Sequence, residues 1–321
     1  MNSIALIDPA IKDGFREALA ERLGGGWTVT SDPAGATIVV TENADVSAEV
    51  VARAGKGLRL VVRLDPGKAA LAVGAVPVMT IPNIALTGVA EHAVTLILAS
   101  LRQLMDVSER ARERRYLADR STPILTTQKE YTFNWIGLED FGVLYRRTVG
   151  IVGLGYIGRA VAERLRPFGA RILYTQRTPL PAATDAELGV AYRSMGDLLA
   201  ESDVVTLHHR FQDGPDGNDG QFDAAAFARM KRGAILINTA RGRLVDETAL
   251  ADALASGQLR AAALDVFRYE PLPADHPFYA IPTSRLLMTP HVAGAPNAEA
   301  WRLMSEMIAE RSAELSQETS A

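Results

Sequence analysis

At 321 residues, with 48% hydrophobic and 22% charged side chains, the chain holds enough apolar material for more than one buried core and is too apolar for disorder. Its formal net charge of −4 is spread over mixed-sign stretches, which excludes a basic footprint for nucleic acid or a membrane surface and leaves a small molecule as the expected partner. Cysteine is absent, so disulfides and thiol chemistry are excluded; no metal site is expected, and the opening "MNSIALIDPA" lacks the basic-then-apolar pattern of a secretory signal, making the cytoplasm the expected compartment.

In chain order, "SIALID", "WTVTSD", "ATIVVTE", "LRLVVRL" and "PVMTIP" read as strands, with helical stretches "IKDGFREALAERL" and "SAEVVARAG" among them. Such alternation predicts a parallel sheet covered on both faces. The apolar stretch "VAEHAVTLILASL", Val89 to Leu101, carries Glu91 and His92 and is shorter than the ~20 residues a bilayer-spanning helix needs, so a buried core helix is expected near 86–106. Residues 107–147 lack a clean period, and Tyr116, Tyr131, Phe133 and Trp135 stand among Arg, Glu and Thr. This texture suggests a crossover whose aromatics meet a partner. From Thr148 the rhythm restarts with "TVGIVGLG", "RILYTQ", "DVVTLHH", "AILINTA" and "AAALDVF", a second doubly wound sheet to which "LLMTPH" adds a strand. The amphipathic "NAEAWRLMSEMIAERSAEL" is expected to return to the first domain. The predicted division is residues 1–104 with 292–321, and residues 105–291.

"GLGYIG" fits a dinucleotide-binding turn, because it follows an apolar strand and opens a helix. Gly153 would make the tight turn, Gly155 would let backbone approach a pyrophosphate, and Gly158 would let helix and strand pack closely. The helix N-terminus then offers N–H groups and partial positive charge to the anion. The next strand should end in an acid that accepts from the adenosine ribose, yet it ends in Gln176, Arg177 and Thr178. A cation there suits a 2′-phosphate, so NADP(H) is the preferred dinucleotide and NAD(H) the alternative.

Three later strands end in polar groups: "ILINTARG" brings Arg241, "ALDVFRYEP" brings Asp265 and Glu270, and "TPHVAG" brings His291. Ligands of open α/β sheets bind at the carboxyl ends of strands, so these groups should converge on the cofactor. A guanidinium can bind a carboxylate, an imidazole can exchange a hydroxyl proton, and a neighbouring carboxylate keeps that imidazole protonated. The set suits hydride transfer to a 2-keto acid. Singly, each residue has an ordinary structural reading; their order after a dinucleotide turn is what favours chemistry. His92, inside the apolar helix, and His276, in a loop, are expected to be structural.

On these segments the sequence resembles the D-isomer-specific 2-hydroxyacid dehydrogenases. The resemblance is carried by "IPNIALTGVAEHAVTLILASLR", "TVGIVGLGYIGRAVAERLRPFGARILY", "SDVVTLHH", "FARMKRGAILINTARGRLVDETALADAL", "AALDVFRYEPLP" and "LLMTPHVAG", in family order between about residue 58 and residue 300. It implies a Rossmann-type cofactor domain plus a flavodoxin-like substrate domain, the latter built from the N-terminal region and the last helix. It also implies a homodimer formed through the long helix and the crossover. By position, Arg241 would orient the keto acid, His291 would be the acid/base, Glu270 would favour its protonated form, and Asp265 would contact the nicotinamide end. Tyr156 and Ile157 would cover the pyrophosphate, with His208, Thr239, Ala240 and Gly294 completing the cofactor set.

Two departures bear on specificity. The family's glycine-rich substrate loop is "RLDPGKAA" here, so Leu64, Asp65 and Gly67 are the expected substrate contacts, with Asp65 adding a negative charge and Pro66 removing an amide donor. After "TLHH" stands Arg210 where the family has proline, a further cation near the dinucleotide. The expected activity is reduction of a small 2-keto acid such as glyoxylate or hydroxypyruvate. Formate-oxidising relatives carry Gln in place of Glu270, which speaks against formate. Phosphite oxidation is the other enzymatic alternative, and a dinucleotide-sensing corepressor is the non-enzymatic one.

Overall fold

The computed structural model describes residues 2–9, 11, 13–65, 69–295 and 298–320. The chain forms two compact units: residues 1–88 with 294–321, and residues 89–293.

The first unit contains β1 (Asn2–Leu6), α1 (Asp13–Arg22), β2 (Trp27–Thr30), β3 (Ile38–Thr41), α2 (Ala48–Ala54), β4 (Leu60–Asp65) and β5 (Val78–Pro82). Its strands are all parallel and lie in the order β2-β1-β3-β4-β5, the flavodoxin-like arrangement. Alternate residues of each strand serve opposite faces: Ile4, Ile38, Val40 and Val62 join one apolar cluster, and Ala5, Val39 and Val61 the other.

A continuous helix, α3 (Ile84–Arg102), carries the chain into the second unit, followed by α4 (Leu104–Arg112). The second unit then runs β6 (Thr148–Val152), α5 (Tyr156–Leu165), β7 (Arg171–Thr175), α6 (Ala182–Leu188), β8 (Val190–Tyr192), α7 (Met195–Glu201) and β9 (Val204–Leu207). It continues with α8 (Ala224–Arg229), β10 (Ala234–Asn238), α9 (Glu247–Ala255), β11 (Leu259–Leu264) and β12 (Leu286–Met288). The seven strands are parallel in the order β12-β11-β10-β9-β6-β7-β8, a Rossmann-type winding that reverses between β6 and β9. Every residue of β6, β9 and β10 is buried, as expected of parallel strands with helices on both faces. Ile235 and Ile237 face a core shared with Ala93 and Ile97 of α3 and Val161 of α5; Leu236 faces one shared with Leu198 of α7 and Leu250 of α9.

The last helix, α10 (Ala298–Ser320), packs on α1 within the first unit, where Met304 and Ile308 meet Phe15 and Leu19. A Cβ on Gly14 would collide with the Trp301 ring, so glycine is what lets these helices approach. Arg22 to Glu306 (3.4 Å) and Arg59 to Glu318 (2.9 Å) tie the helix at its flanks.

The composition predicts a domain boundary after residue 104, whereas the compact units part at 88/89, inside α3. The physical reason is that Ala90, Ala93, Val94, Leu96, Ile97 and Leu101 are buried in the core of the second unit. The return crossing falls at 293/294 rather than 292. At 19 residues α3 is long and apolar enough to cross a bilayer, but these side chains pack against the sheet. The expected helix over 86–106 is interrupted at Gln103, which adopts φ 49°, and restarts as α4.

Candidate active site at the carboxyl ends of the second sheet

The winding reversal between β6 and β9 opens a crevice at their carboxyl ends. There Gly153 turns with φ 93°, its N–H donating to Thr175 O, and any Cβ would strike the His209 backbone. A Cβ on Gly158 would strike the Gly153 carbonyl, so this glycine closes helix α5 onto the turn. Gly155 differs: a Cβ there would meet nothing within 4 Å, and no side chain caps the helix it begins. The first-turn amides of α5, beginning at Tyr156 and Ile157, are thereby left for an anion.

Past the end of β9, His208 Nε2 contacts Thr206 Oγ1 at 2.8 Å. Burial, with His209 adding, pushes the His208 imidazole down to about 3, so it is neutral near pH 7. His209 is also pushed down by burial, against an opposing hydrogen bond from Nε2 to Gln221 Oε1 (2.9 Å). At the end of β7, Gln176 Nε2 donates to Thr178 O (2.7 Å), which leaves Arg177 and Thr178 exposed. Neither Arg177 nor Arg210 makes an ion pair among the described residues.

The acid/base candidate and its carboxylate meet directly: His291 Nδ1 lies 2.6 Å from Glu270 Oε2. Glu270 Oε1 accepts from Phe267 N (2.9 Å), so both oxygens are fixed and the imidazole is held by one nitrogen. His291 Nε2 has no hydrogen-bond partner among the described residues. Arg241 follows β10 on a turn stapled by Asn238, whose Oδ1 accepts from Ala240 N (3.0 Å) and whose Nδ2 donates to Arg241 O (2.9 Å). The turn abuts the Glu270 loop, because a Cβ on Gly242 would collide with the Phe267 carbonyl. Arg241 is exposed and forms no ion pair among the described residues; its Nη1 donates to Ala240 O (2.5 Å), which leaves the rest of the guanidinium for a ligand. Asp219 ties the loops further by bonding both Arg243 (2.5 Å) and Arg268 (2.9 Å), which hold its carboxyl below the usual range.

Asp265 is fully buried, and its carboxylate is occupied by its own chain. Oδ1 accepts from Thr289 Oγ1 (2.6 Å) and Val292 N (2.9 Å), and Oδ2 accepts from Ala293 N (2.9 Å). It braces the turn that presents His291. Sequence patterns do not single out Asn238 or Thr289; a polar residue closing a buried strand was their only signal.

The sequence profile described as "D-isomer specific 2-hydroxyacid dehydrogenase, NAD binding domain" matches residues 94–293. The chain belongs to this family. It is 38% identical over 311 residues to a D-3-phosphoglycerate dehydrogenase of Mycobacterium leprae, covering 92% of this chain and 54% of that protein. It is 36% identical over 230 residues to a glyoxylate reductase of Korarchaeum cryptofilum, covering 71% of this chain and 63% of that protein. The chain thus spans about half the length of the first relative. A phosphoglycerate oxidoreductase from Rhizobium etli superposes with a TM-score of 0.69 at 26% identity, covering 99% of both chains.

In this member of the family the crevice fits a dinucleotide. Gly155 faces open space, and Thr239 Oγ1, past the end of β10, is buried without a partner among the described residues. Ala240 is half-buried in the stapled turn. Gly294 lies at the return to the first unit. The expected substrate loop belongs to that unit. Leu64 is 3% exposed, its side chain part of the core, so only its backbone remains for a ligand. Asp65 closes β4, its carbonyl accepting from Asn83 N (3.0 Å). Gly67 lies outside the described residues.

Proposed function

We propose that this chain reduces a small 2-keto acid to the D-2-hydroxy acid with NADP(H) as the preferred dinucleotide. The observation that carries the proposal is the 2.6 Å contact between His291 Nδ1 and Glu270, which leaves Nε2 free to face a substrate. The reduced nicotinamide, when bound, supplies the hydride. Gly155 and the first-turn amides of α5 would hold the pyrophosphate on the turn that Gly153 and Gly158 shape, while Arg177 and Thr178 would receive the 2′-phosphate. Arg241 binds the substrate carboxylate as a fork and stabilises the charge that grows on the keto oxygen. His291 gives its Nε2 proton to that oxygen, and Glu270 supports the imidazolium beforehand and the Nδ1–H tautomer afterwards. In the oxidative direction the same nitrogen takes the proton back.

Consumption of NADPH and of NADH, measured over pyruvate, glyoxylate, hydroxypyruvate and its 3-phosphate and compared by kcat/KM, tests the proposal. The phosphorylated member is included because of the relative named D-3-phosphoglycerate dehydrogenase. Turnover of none of them would sink it. A second copy of the chain is the proposed cover for residues 104–145, where Leu125, Phe133, Val143 and Tyr145 are 90%, 72%, 60% and 65% exposed. Light scattering giving a monomer at micromolar concentration would contradict that.

A further inference from the structure

We propose that His92 is a positioning residue for His291, acting through Thr289 and Asp265. The inference rests on His291 being the proton donor. The Thr289 hydroxyl has one proton and two neighbours: Asp265 Oδ1 at 2.6 Å and His92 Nε2 at 3.0 Å. Asp265 also receives the Val292 and Ala293 amides, and a carboxylate facing three donors only accepts. The Thr289 proton therefore goes to Asp265, and Thr289 in turn accepts from His92. That assignment fixes His92 as the Nε2–H tautomer. The same nitrogen lies 3.6 Å from Asp265 Oδ1, so His92 faces the corner where hydroxyl and carboxylate meet.

The brace matters because of what it restrains. His291 adopts φ 53°, in the left-handed region that β-carbon-bearing residues avoid. Within its own turn, the His291 amide bonds only Thr289 O (3.0 Å). The chain leaves the second unit directly after Ala293, so β12 is the turn's single covalent root there. Hydrogen bonds to Asp265 must hold the other end. His92 supplies the outermost bond from a rigid base, since its neighbours Ala90, Ala93 and Leu96 on α3 are buried in the core. Without it the Thr289 hydroxyl can rotate away, the grip of Asp265 loosens, and the imidazole swings from Glu270.

The test compares His92→Leu, which keeps volume without a donor, with His92→Gln, whose amide can replace the Nε2–H. The readouts are kcat and KM for the best 2-keto acid, dinucleotide Kd, and the His291 cross-peak in a nitrogen-edited imidazole spectrum, identified by its loss in His291→Gln. His92→Leu is expected to lower kcat by about tenfold. It should leave dinucleotide Kd unchanged and displace or broaden the His291 cross-peak, and His92→Gln should restore both. An unmoved cross-peak with unchanged kcat overturns the proposal, as does a loss of kcat and thermal stability together that His92→Gln leaves unrepaired. If the wild type reduces no 2-keto acid, the functional reading fails separately and the cross-peak alone decides, an unmoved one being contrary.

Discussion

Alanine at Gly155 and alanine at Gly158 should separate cofactor binding from folding, although only two residues lie between them. At Gly158 a built Cβ stands 2.2 Å from the Gly153 carbonyl oxygen. An ordinary C···O approach is about 3.3 Å, so turn or helix must move by roughly 1 Å. Overpacking of this kind costs about 1–3 kcal/mol, offset by at most ~1 kcal/mol of helix propensity. A unit of this size loses ~2–4 °C in Tm per kcal/mol, so Gly158→Ala should melt several degrees lower. At Gly155, φ −78° suits any residue and a Cβ meets nothing within 4 Å. Poorer capping and a less flexible unfolded chain change stability by less than about 1 kcal/mol each and in opposite directions, so Tm should hold. The methyl group would instead occupy the space in which the pyrophosphate meets the α5 amides. Hydrogen bonds to a charged group are worth about 1.5–3 kcal/mol, so Kd for NADPH should rise by roughly ten- to a hundredfold. Fluorescence titration and thermal melts of both variants make the assay. A Gly155→Ala protein binding NADPH as tightly as the wild type would refute the cradle.

Three other outcomes are expected. Glu270→Gln keeps a hydrogen-bond acceptor but removes the charge beside His291, and should lower kcat by roughly ten- to a hundredfold with little change in dinucleotide Kd. Arg177→Ala should lower kcat/KM for NADPH by about tenfold or more and leave NADH nearly unaffected; equal losses for both would remove the 2′-phosphate assignment. His208, pushed down by burial to about 3, is protonated first in the unfolded chain, so its contribution to stability is complete above pH ~6.5 and declines as pH falls toward 3. Between pH 6.5 and 5 urea melts should carry a slope of up to ~1.4 kcal/mol per pH unit that His208→Gln removes.

The legible parts of this fold were those set by local pattern. The runs that became β6, β9 and β10 are buried throughout and almost wholly apolar because both faces of a parallel sheet are covered, and that continuity can be seen without coordinates. β8, three residues long, has no such run. The break at Gln103 was hidden because a left-handed φ at a glutamine is fixed by surroundings, and the boundary within α3 because which sheet a buried helix face meets is a tertiary fact. In the site, Arg241, Glu270 and His291 stood out through residue type at strand ends. His92 did not, since a histidine among apolar helix neighbours looks the same whether it fills space or donates to a distant threonine. Leu64 drew notice through its loop, yet its side chain belongs to the core.

The most direct measurement is the single-turnover rate of 2-keto acid reduction by His291→Gln beside the wild type, with NADPH affinity recorded on the same preparations. Loss of the proton donor should slow reduction by about a hundred- to ten-thousandfold while NADPH binds as before. A His291→Gln protein that reduces the keto acid at close to the wild-type rate would contradict the account.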